Sequence, residues 1–199
     1  EHLRARGGTP VPVDITPLLE CARLLYAGPW LAERAQAIAG PGTFGAAHPE
    51  ALLPLLREIL APARAMSAME AFAGFETLAR LRRAAEAIRD AADLLLLPTT
   101  PTIYTRAQIE QEPLARNAVL GRFTNFVNLL DLCAVALPAG FRADGLPFGI
   151  TLMAPAFHED LLAAAAARWL APSTPRPHQS PAPSVSQDSR THDRVSLLV

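Results

Sequence analysis

Lysine is absent from this chain, because all 18 residues counted as lysine or arginine are arginines. Serine is scarce as well, since Ser67 is the sole serine before position 173. A serine hydrolase that activates its nucleophile through a lysine needs both residue types beside the substrate. These residues therefore exclude a mechanism in which this chain itself supplies a serine–lysine pair.

Strong net charge and abundant cysteine are also missing. The formal net charge is −1, and the densest basic run, Arg80, Arg82 and Arg83, has the spacing of a solvated helix face, which argues against nucleic-acid binding. The two cysteines, Cys21 and Cys133, lie in apolar surroundings and far apart, which predicts free buried thiols in a reducing compartment.

Long apolar runs are missing too. No run approaches the roughly 18 residues of a membrane span, and the first residues given do not have the charged, apolar and small-residue pattern of a signal peptide. We therefore expect a cytoplasmic protein with no membrane partner and no nucleic-acid partner. The first residue is Glu1 rather than methionine, so the natural start is expected upstream.

Helical patterns dominate the first half of the chain. Thr16 followed by proline predicts a helix start with the threonine hydroxyl as its cap. Residues 30–38 give a second helical segment, and residues 63–92 give the longest one. In that long pattern we expect Arg82 and Glu86 to pair four residues apart. An apolar stripe is formed by Leu78, Leu81, Ala85 and Ile88, while Glu76, Arg80, Arg83 and Asp90 face elsewhere.

Short apolar runs predict strands between the later helices. Residues 93–98 read as a strand buried on both faces, and residues 133–137 and 148–153 read as two more. Helical patterns cover residues 113–130 and 161–170. Helices alternating with strands predict an α/β domain over residues 1–171, with a mixed β-sheet covered by helices. Residues 172–199 hold five prolines and six of the seven serines, which predicts a disordered tail.

Several motifs together resemble one enzyme family. They lie at residues 26–34 (YAGPWLAER), 94–104 (LLLLPTTPTIY), 125–141 (NFVNLLDLCAVALPAGF), 144–152 (DGLPFGITL) and 154–157 (APAF). These motifs resemble the C-terminal half of the amidase domain in the amidase-signature family, and within that family they are most similar to the allophanate hydrolases. The resemblance extends over roughly residues 1–170, and it implies a partial amidase-signature fold.

The resemblance also implies an activity. Members of the family hydrolyse amides, and the resemblance implies hydrolysis of allophanate in urea degradation and nitrogen metabolism. The family's nucleophile is a serine that is activated through a second serine and a lysine, all in the N-terminal half of the domain. This sequence has no Ser-Ser pair, no Gly-Gly-Ser and no lysine, so no catalytic residue is assigned, and no cofactor is implied. The implied partners are allophanate as a small-molecule substrate, the missing N-terminal half of the domain, and a second copy in a homodimer of the complete enzyme. We therefore expect a truncated or frame-shifted gene product.

Tyr26 and Arg34 match the tyrosine and arginine with which the family contacts its substrate. A guanidinium fork and a phenol suit a small planar carboxylate such as allophanate. From spacing alone, a surface Arg34 stacked on Trp30 is the commoner arrangement. The resemblance favours substrate binding by Tyr26 and Arg34, and both interpretations remain open at this point.

Hydroxyl groups follow the predicted strand at residues 93–98, where α/β sheets often bind ligands. They belong to Thr99, Thr100, Thr102 and Tyr104. A proline-rich loop closed by its own hydroxyls is the commoner explanation.

The remaining polar candidates have simpler structural explanations. Two asparagines could hold a catalytic loop, but helix capping is more common. The adjacent residues His158, Glu159 and Asp160 cannot face one ion from a helix, so Asp160 is read as a helix-start residue and no metal site is predicted. The other members of this set are Asn125, Asn128, the isolated His48, and Ser67, which is read as a structural residue inside the long helix.

Three hypotheses follow from the sequence. The first is a fragment of an allophanate-hydrolase-like amidohydrolase that carries part of the substrate pocket and is inactive alone. The second is a non-catalytic subunit or binding module that completes a pocket with a separate, nucleophile-bearing chain. The third is an unrelated ligand-binding α/β module. A neighbouring reading frame that encodes the lysine and the Gly/Ser-rich loop would favour the second, and an in-frame upstream extension would favour the first.

Overall fold

A computed structural model of the chain describes residues 2–171 and 196–198. Within these residues no helix is long and apolar enough to cross a membrane. Nine α-helices are described: α1 His2–Ala5, α2 Thr16–Ala27, α3 Trp30–Ala39, α4 Phe44–Ala47, α5 Pro54–Leu60, α6 Ala68–Asp90, α7 Arg106–Gln111, α8 Pro113–Leu120 and α9 Glu159–Leu170. The strands are β1 Thr9–Val11, β2 Leu94–Pro98, β3 Leu132–Phe141, β4 Pro147–Pro155 and β5 Ser196–Leu198.

The strands form one mixed sheet in the order β1-β5-β2-β4-β3. β5 is parallel to both of its neighbours, whereas β2, β4 and β3 pair antiparallel. The β3–β4 hairpin is the longest pairing, and the turn that closes it contains Asp144 and Gly145, with an ion pair of 3.0 Å between Arg142 and Asp144. Both strands are longer than the patterns at 133–137 and 148–153 predict, because the pairing extends toward this turn.

β2 divides the core into two layers, as its unbroken run of leucines predicts. Leu95 and Leu97 belong to the cluster under α2 and α6, whereas Leu94 and Leu96 belong to the cluster under α9. All four side chains are buried. Because alternate side chains of a strand point to opposite faces, helices on both faces of the sheet bury the whole run. The prediction of a mixed sheet covered by helices is confirmed.

The long helix α6 is shorter than the predicted helix over residues 63–92, because it begins later and ends earlier. α6 begins after Ser67, which is its N-cap: the Ser67 hydroxyl accepts from the Glu70 amide at 3.2 Å, and the Glu70 carboxylate accepts from the Ser67 amide at 2.7 Å. Ser67 is therefore a capping residue and not an interior residue of the helix. The apolar stripe is buried as predicted. Arg82 does not pair with Glu86: its Nε donates to the Leu129 carbonyl at 2.9 Å, while Glu86 lies 3.7 Å from Arg89.

Two further expectations about helices were wrong in detail. The cap of α2 is not the Thr16 hydroxyl, because this hydroxyl donates to Asp14 at 2.6 Å and the Asp14 carboxylate also accepts from the Thr16 amide. The predicted helix over residues 113–130 ends at Leu120, and residues 121–131 form consecutive turns. A Cβ at Gly121 would lie 2.6 Å from the Asn125 side-chain amide, so a larger residue here would displace that side chain.

The predicted tail, residues 172–199, lies mostly outside the described residues. Ser196–Leu198 are described, and they form strand β5. The domain boundary at residue 171 remains a prediction.

Candidate functional site

Tyr26 and Arg34 lie together, although not on one continuous helix. Gly28 and Pro29 separate α2 from α3, as the sequence predicts. The chain turns between the helices so that the guanidinium carbon of Arg34 lies 4.6 Å from the centre of the Tyr26 ring. The Tyr26 side chain is half exposed, at 50%. The structure thus brings the two predicted substrate-binding residues into a single surface site.

Trp30 is not the aromatic ring on which Arg34 stacks. Its ring meets Phe75 of α6 edge-on, with centroids 5.5 Å apart. Next to Phe75 in the sequence, a Cβ at Gly74 would overlap the Pro29 ring, so α6 and the α2–α3 junction approach each other closely. The expected stacking of Arg34 on Trp30 is therefore wrong in its partner, because Trp30 packs toward α6 and leaves Tyr26 beneath the guanidinium.

The stacked guanidinium keeps its hydrogen-bonding edge available. A cation–π contact uses the face of the planar group, whereas carboxylates bind in its plane. Among the described residues, no carboxylate forms an ion pair with Arg34. The edge of the Arg34 guanidinium is therefore the part of this pair that can bind a small carboxylate. Stacking on Tyr26 also accounts for the position of Arg34 without a ligand, so substrate binding by these residues stays a prediction.

Two of the four hydroxyls after β2 are used within the protein, those of Thr99 and Thr100. Thr99 accepts from the Thr151 hydroxyl at 3.0 Å, and its amide donates to the Gly149 carbonyl at 3.0 Å. The Thr100 hydroxyl donates to the Thr102 carbonyl at 3.2 Å. The Tyr104 ring lies under the guanidinium of Arg116, at 4.7 Å. These contacts favour the interpretation that this loop is closed by its own hydroxyls.

The other polar candidates lie in turns and helix starts, and the side chains of the two histidines have local partners. Asn125 and Asn128 lie in the turns at residues 121–131, where the Asn128 carbonyl accepts from the Asp131 amide at 3.3 Å. His158 Nδ1 lies 3.0 Å from the Ala156 carbonyl, and Glu159 and Asp160 form the first turn of α9. His48 lies 3.4 Å from Glu50. In the part of the chain that the structure describes, no group of three or more His, Cys, Asp or Glu residues could hold a metal ion.

Sequence reasoning missed two features of α6, one at each end of the helix. The first is an exposed apolar face at the start of α6, formed by Met69, Phe72 and Phe75, whose exposed fractions are 83%, 70% and 54%. We call it the α6 apolar face. Its spacing of three residues, on the side opposite the buried stripe, is the signal that could have identified it. Through Phe75 it touches Trp30, so it borders the Tyr26–Arg34 pair.

The second missed feature is a cavity of about 700 Å³ at the far end of α6. It lies between the last turn of α6, the start of β3 and the end of β4, and its wall includes Arg82, Arg89, Asp131, Met153 and His158. Neither Tyr26 nor Arg34 lines it. No sequence pattern marks this cavity, because its wall is assembled from four separate segments.

Cys21 is a buried free thiol, as predicted, and burial makes it unreactive. Its side chain is 0% exposed. Burial raises the pKa of the Cys21 thiol from 9.0 to about 11, although the nearby Arg82 charge acts in the opposite direction. Because the folded-state pKa is the higher one, this group's contribution to stability is full below about pH 9 and is lost as the pH rises toward 11.

We expect iodoacetamide at pH 8 to modify Cys133 in the native chain and to react with Cys21 at least about 100-fold more slowly. Only the thiolate reacts, and the thiolate fraction of Cys21 falls tenfold for each unit by which its pKa is raised. Mass spectrometry of tryptic peptides measures both sites. The Cys133→Ser variant should then take up no label when native and one label in urea. Rapid native labelling of Cys21 would contradict the assignment.

Comparison with known proteins decides the family. The amidase family matches residues 1–163 of the chain. The chain belongs to the amidase family. This amidase chain is 42% identical over 176 residues to urea amidolyase of Saccharomyces cerevisiae. The aligned region covers 85% of the chain and 9% of that protein. It is 36% identical over 178 residues to urea amidolyase of Lachancea kluyveri, covering 88% of the chain and 10% of that protein.

Solved structures give the same answer. A structure of Kluyveromyces lactis allophanate hydrolase superposes with a TM-score of 0.75 at 36% identity, covering 85% of this amidase chain and 28% of that chain. The K. lactis urea amidolyase structure superposes with a TM-score of 0.75 at 37% identity, covering 83% and 10%. The chain thus spans about a quarter of the allophanate hydrolase and about a tenth of the urea amidolyases. The predicted resemblance and the predicted amidase-signature fold are confirmed.

Proposed function

We propose that this amidase chain supplies one wall of the substrate pocket in an allophanate-hydrolase-like amidohydrolase of urea degradation. The observation that carries the proposal is the stacking of Arg34 on Tyr26 in a chain similar over most of its length to allophanate hydrolase and urea amidolyase. The nucleophilic chemistry is assigned to residues outside this chain, because the sequence has no lysine and its one serine before the tail caps a helix.

In this proposal Arg34 recognises the free carboxylate of allophanate. The two N–H groups on the guanidinium edge form a bidentate pair with the carboxylate oxygens, and the planar fork matches the planar ligand. Tyr26 holds the guanidinium from below and donates its hydroxyl to the same ligand. A positive charge fixed in this way discriminates for substrates that carry a carboxylate, since neutral amides leave the guanidinium unpaired.

The α6 apolar face supports a larger assembly. Large exposed apolar side chains that cluster usually mark a contact surface, and Phe72 and Met69 are both at least 70% exposed. We propose that the preceding part of the amidase domain covers this face and brings the nucleophile to the neighbouring Tyr26–Arg34 pair. A homodimer of the complete enzyme and a cytoplasmic location complete the proposal, and the free thiols of Cys21 and Cys133 fit a reducing compartment.

The second candidate is a non-catalytic subunit that completes a pocket with a separate, nucleophile-bearing chain. The same α6 apolar face favours it, because an exposed face suits an intermolecular contact as well as an intramolecular one. Sequencing the DNA that flanks the gene distinguishes the two candidates. An adjacent reading frame encoding the lysine and the Gly/Ser-rich loop supports the separate subunit, whereas an in-frame upstream extension supports the fragment.

The purified chain alone is expected to release no ammonia from allophanate, because acyl transfer needs an activated nucleophile. A coupled glutamate dehydrogenase assay measures the ammonia. Addition of the preceding amidase part, joined or as a separate chain, is expected to produce turnover, with the chain carrying Arg34→Ala as the matched control. Turnover by the chain alone that persists through repeated purification would overturn the proposal.

A further inference from the structure

Strand β5 occupies an interior position in the sheet. Its Cα partners in β1 are Thr9, Pro10 and Val11, and its partners in β2 are Leu94 and Leu95. Neighbouring strands lie about 4.8 Å apart, so the space between β1 and β2 holds one strand. The sheet therefore contains a slot for a single parallel strand, bounded by β1 and β2, and the C-terminal end of this chain lies in it.

The strand in the slot comes from outside the part of the chain that defines the family. The amidase match covers residues 1–163, which include β1, β2, β3 and β4. β5, at residues 196–198, lies beyond that match. Three strands of the family domain, β2, β4 and β3, pair directly with one another, and the described strand β1 joins them through β5, which does not belong to the matched domain.

The pairing of β5 is short. It meets β2 at two Cα positions, whereas β2 meets β4 at four and β3 meets β4 at eight. β2 continues past the β5 pairing through Leu96, Leu97 and Pro98. A strand held over so few residues gains little from the ladder and opens more easily than its neighbours. A longer parallel strand would pair with more of β2 and so bind more strongly.

We propose that the space between β1 and β2 is a strand-acceptor slot, which the C-terminal strand β5 fills within the same chain until a longer parallel strand of the preceding amidase part displaces it. The identity of that incoming strand rests on the proposed function. The four buried leucines of β2 fix its chemistry: side chains on both faces of the sheet enter an apolar core, so the incoming segment is extended, apolar and uncharged for at least about four residues.

Amide hydrogen exchange of the full wild-type chain, followed residue by residue by NMR, gives the first test. β5 is expected to exchange at least tenfold faster than Leu152 of β4, because it opens locally while the rest of the sheet stays closed. Equal protection of Leu197 and Leu152 would overturn the proposal, since β5 would then open only with the whole domain.

A proline variant gives the second test. Leu197→Pro removes a ladder amide, and it is expected to raise exchange at Leu94 and Val11 at least tenfold while α6 stays protected. Ser186→Pro, which adds a proline elsewhere in the C-terminal segment, is the control and should change neither. A free peptide of residues 194–199, RVSLLV, is expected to restore the protection. Unchanged exchange in the Leu197→Pro variant, lost protection in α6, or failure of the peptide to protect β2 would each overturn the slot.

The third test adds the preceding amidase part to the wild-type chain. Displacement predicts that Leu197 loses its protection while Leu94 becomes better protected than before. Retained protection of Leu197 in the assembled complex would contradict displacement. No activity is measured in these experiments, so a chain that binds its partner and yet fails to hydrolyse allophanate would contradict the proposed function and leave the slot intact.

Discussion

Replacing Arg34 by alanine in the complete amidase domain is expected to lower kcat/KM for allophanate by roughly one to two orders of magnitude. The lost contact is a charge-assisted pair with the substrate carboxylate, and such contacts contribute about 1.5 to 3 kcal/mol. Arg34→Lys should restore little of the rate, because an ammonium group does not reproduce the planar fork and stacks less well on Tyr26. Steady-state kinetics with allophanate and with a neutral amide measures the effect.

The control for this experiment is Arg57→Ala. Arg57 is an exposed arginine of α5, and its replacement removes the same charge without touching Tyr26. Neutral amides should be affected much less than allophanate by Arg34→Ala, since they carry no carboxylate to lose. An equal decrease for both substrates, or a lower melting temperature with unchanged kinetics, would show that Arg34 is a structural residue.

Phe126→Ala is expected to destabilise the isolated chain by about 3 to 5 kcal/mol, the usual cost of removing a fully buried aromatic ring from a core. Phe126 is 0% exposed and belongs to the cluster formed with α2, α6 and β2. The helices and the strand of this cluster are held by their own packing, so the cavity left by the ring closes only in part. Urea denaturation followed by circular dichroism measures the change in the free energy of unfolding.

Phe72→Ala is the matched control for Phe126→Ala. The Phe72 side chain is 70% exposed on the α6 apolar face, so its loss should change the stability of the isolated chain by less than about 0.5 kcal/mol. Comparable destabilisation by both substitutions would mean that the α6 apolar face is already covered in the isolated chain, and it would contradict the contact surface proposed above.

Periodicity predicted the elements whose burial follows from local pattern. The four leucines of β2 were read as a strand buried on both faces, and the stripe on α6 from Leu78 to Ile88 was read as a core face, and both are confirmed. The pattern failed where a side chain had two competing local roles. Ser67 fitted the interior of a helix as well as its cap, and the reciprocal bonds with Glu70 decide for the cap.

Long-range contacts account for the remaining differences. Arg82 had a suitable carboxylate four residues away on its own helix, yet it donates to the Leu129 carbonyl, a group 47 positions away in the chain. The helical pattern at residues 113–130 also gave way to turns, because these turns place Phe126, Leu129 and Leu130 in the core. Burial of three large side chains outweighs the propensity of a helix to continue.

The sequence alone determined the family, the two-faced burial of β2 and the lack of any lysine for catalysis, because these depend on residue identity and on spacing along the chain. The tertiary structure decided which aromatic ring lies under Arg34. Tyr26 and Trp30 are both close to Arg34 in sequence, but Trp30 packs on Phe75, so the guanidinium stacks on Tyr26. It also decided that the C-terminal strand lies between β1 and β2. Strand pairing over nearly the whole length of the chain leaves no local pattern, because the partner's position is fixed by the sheet and not by neighbouring residues.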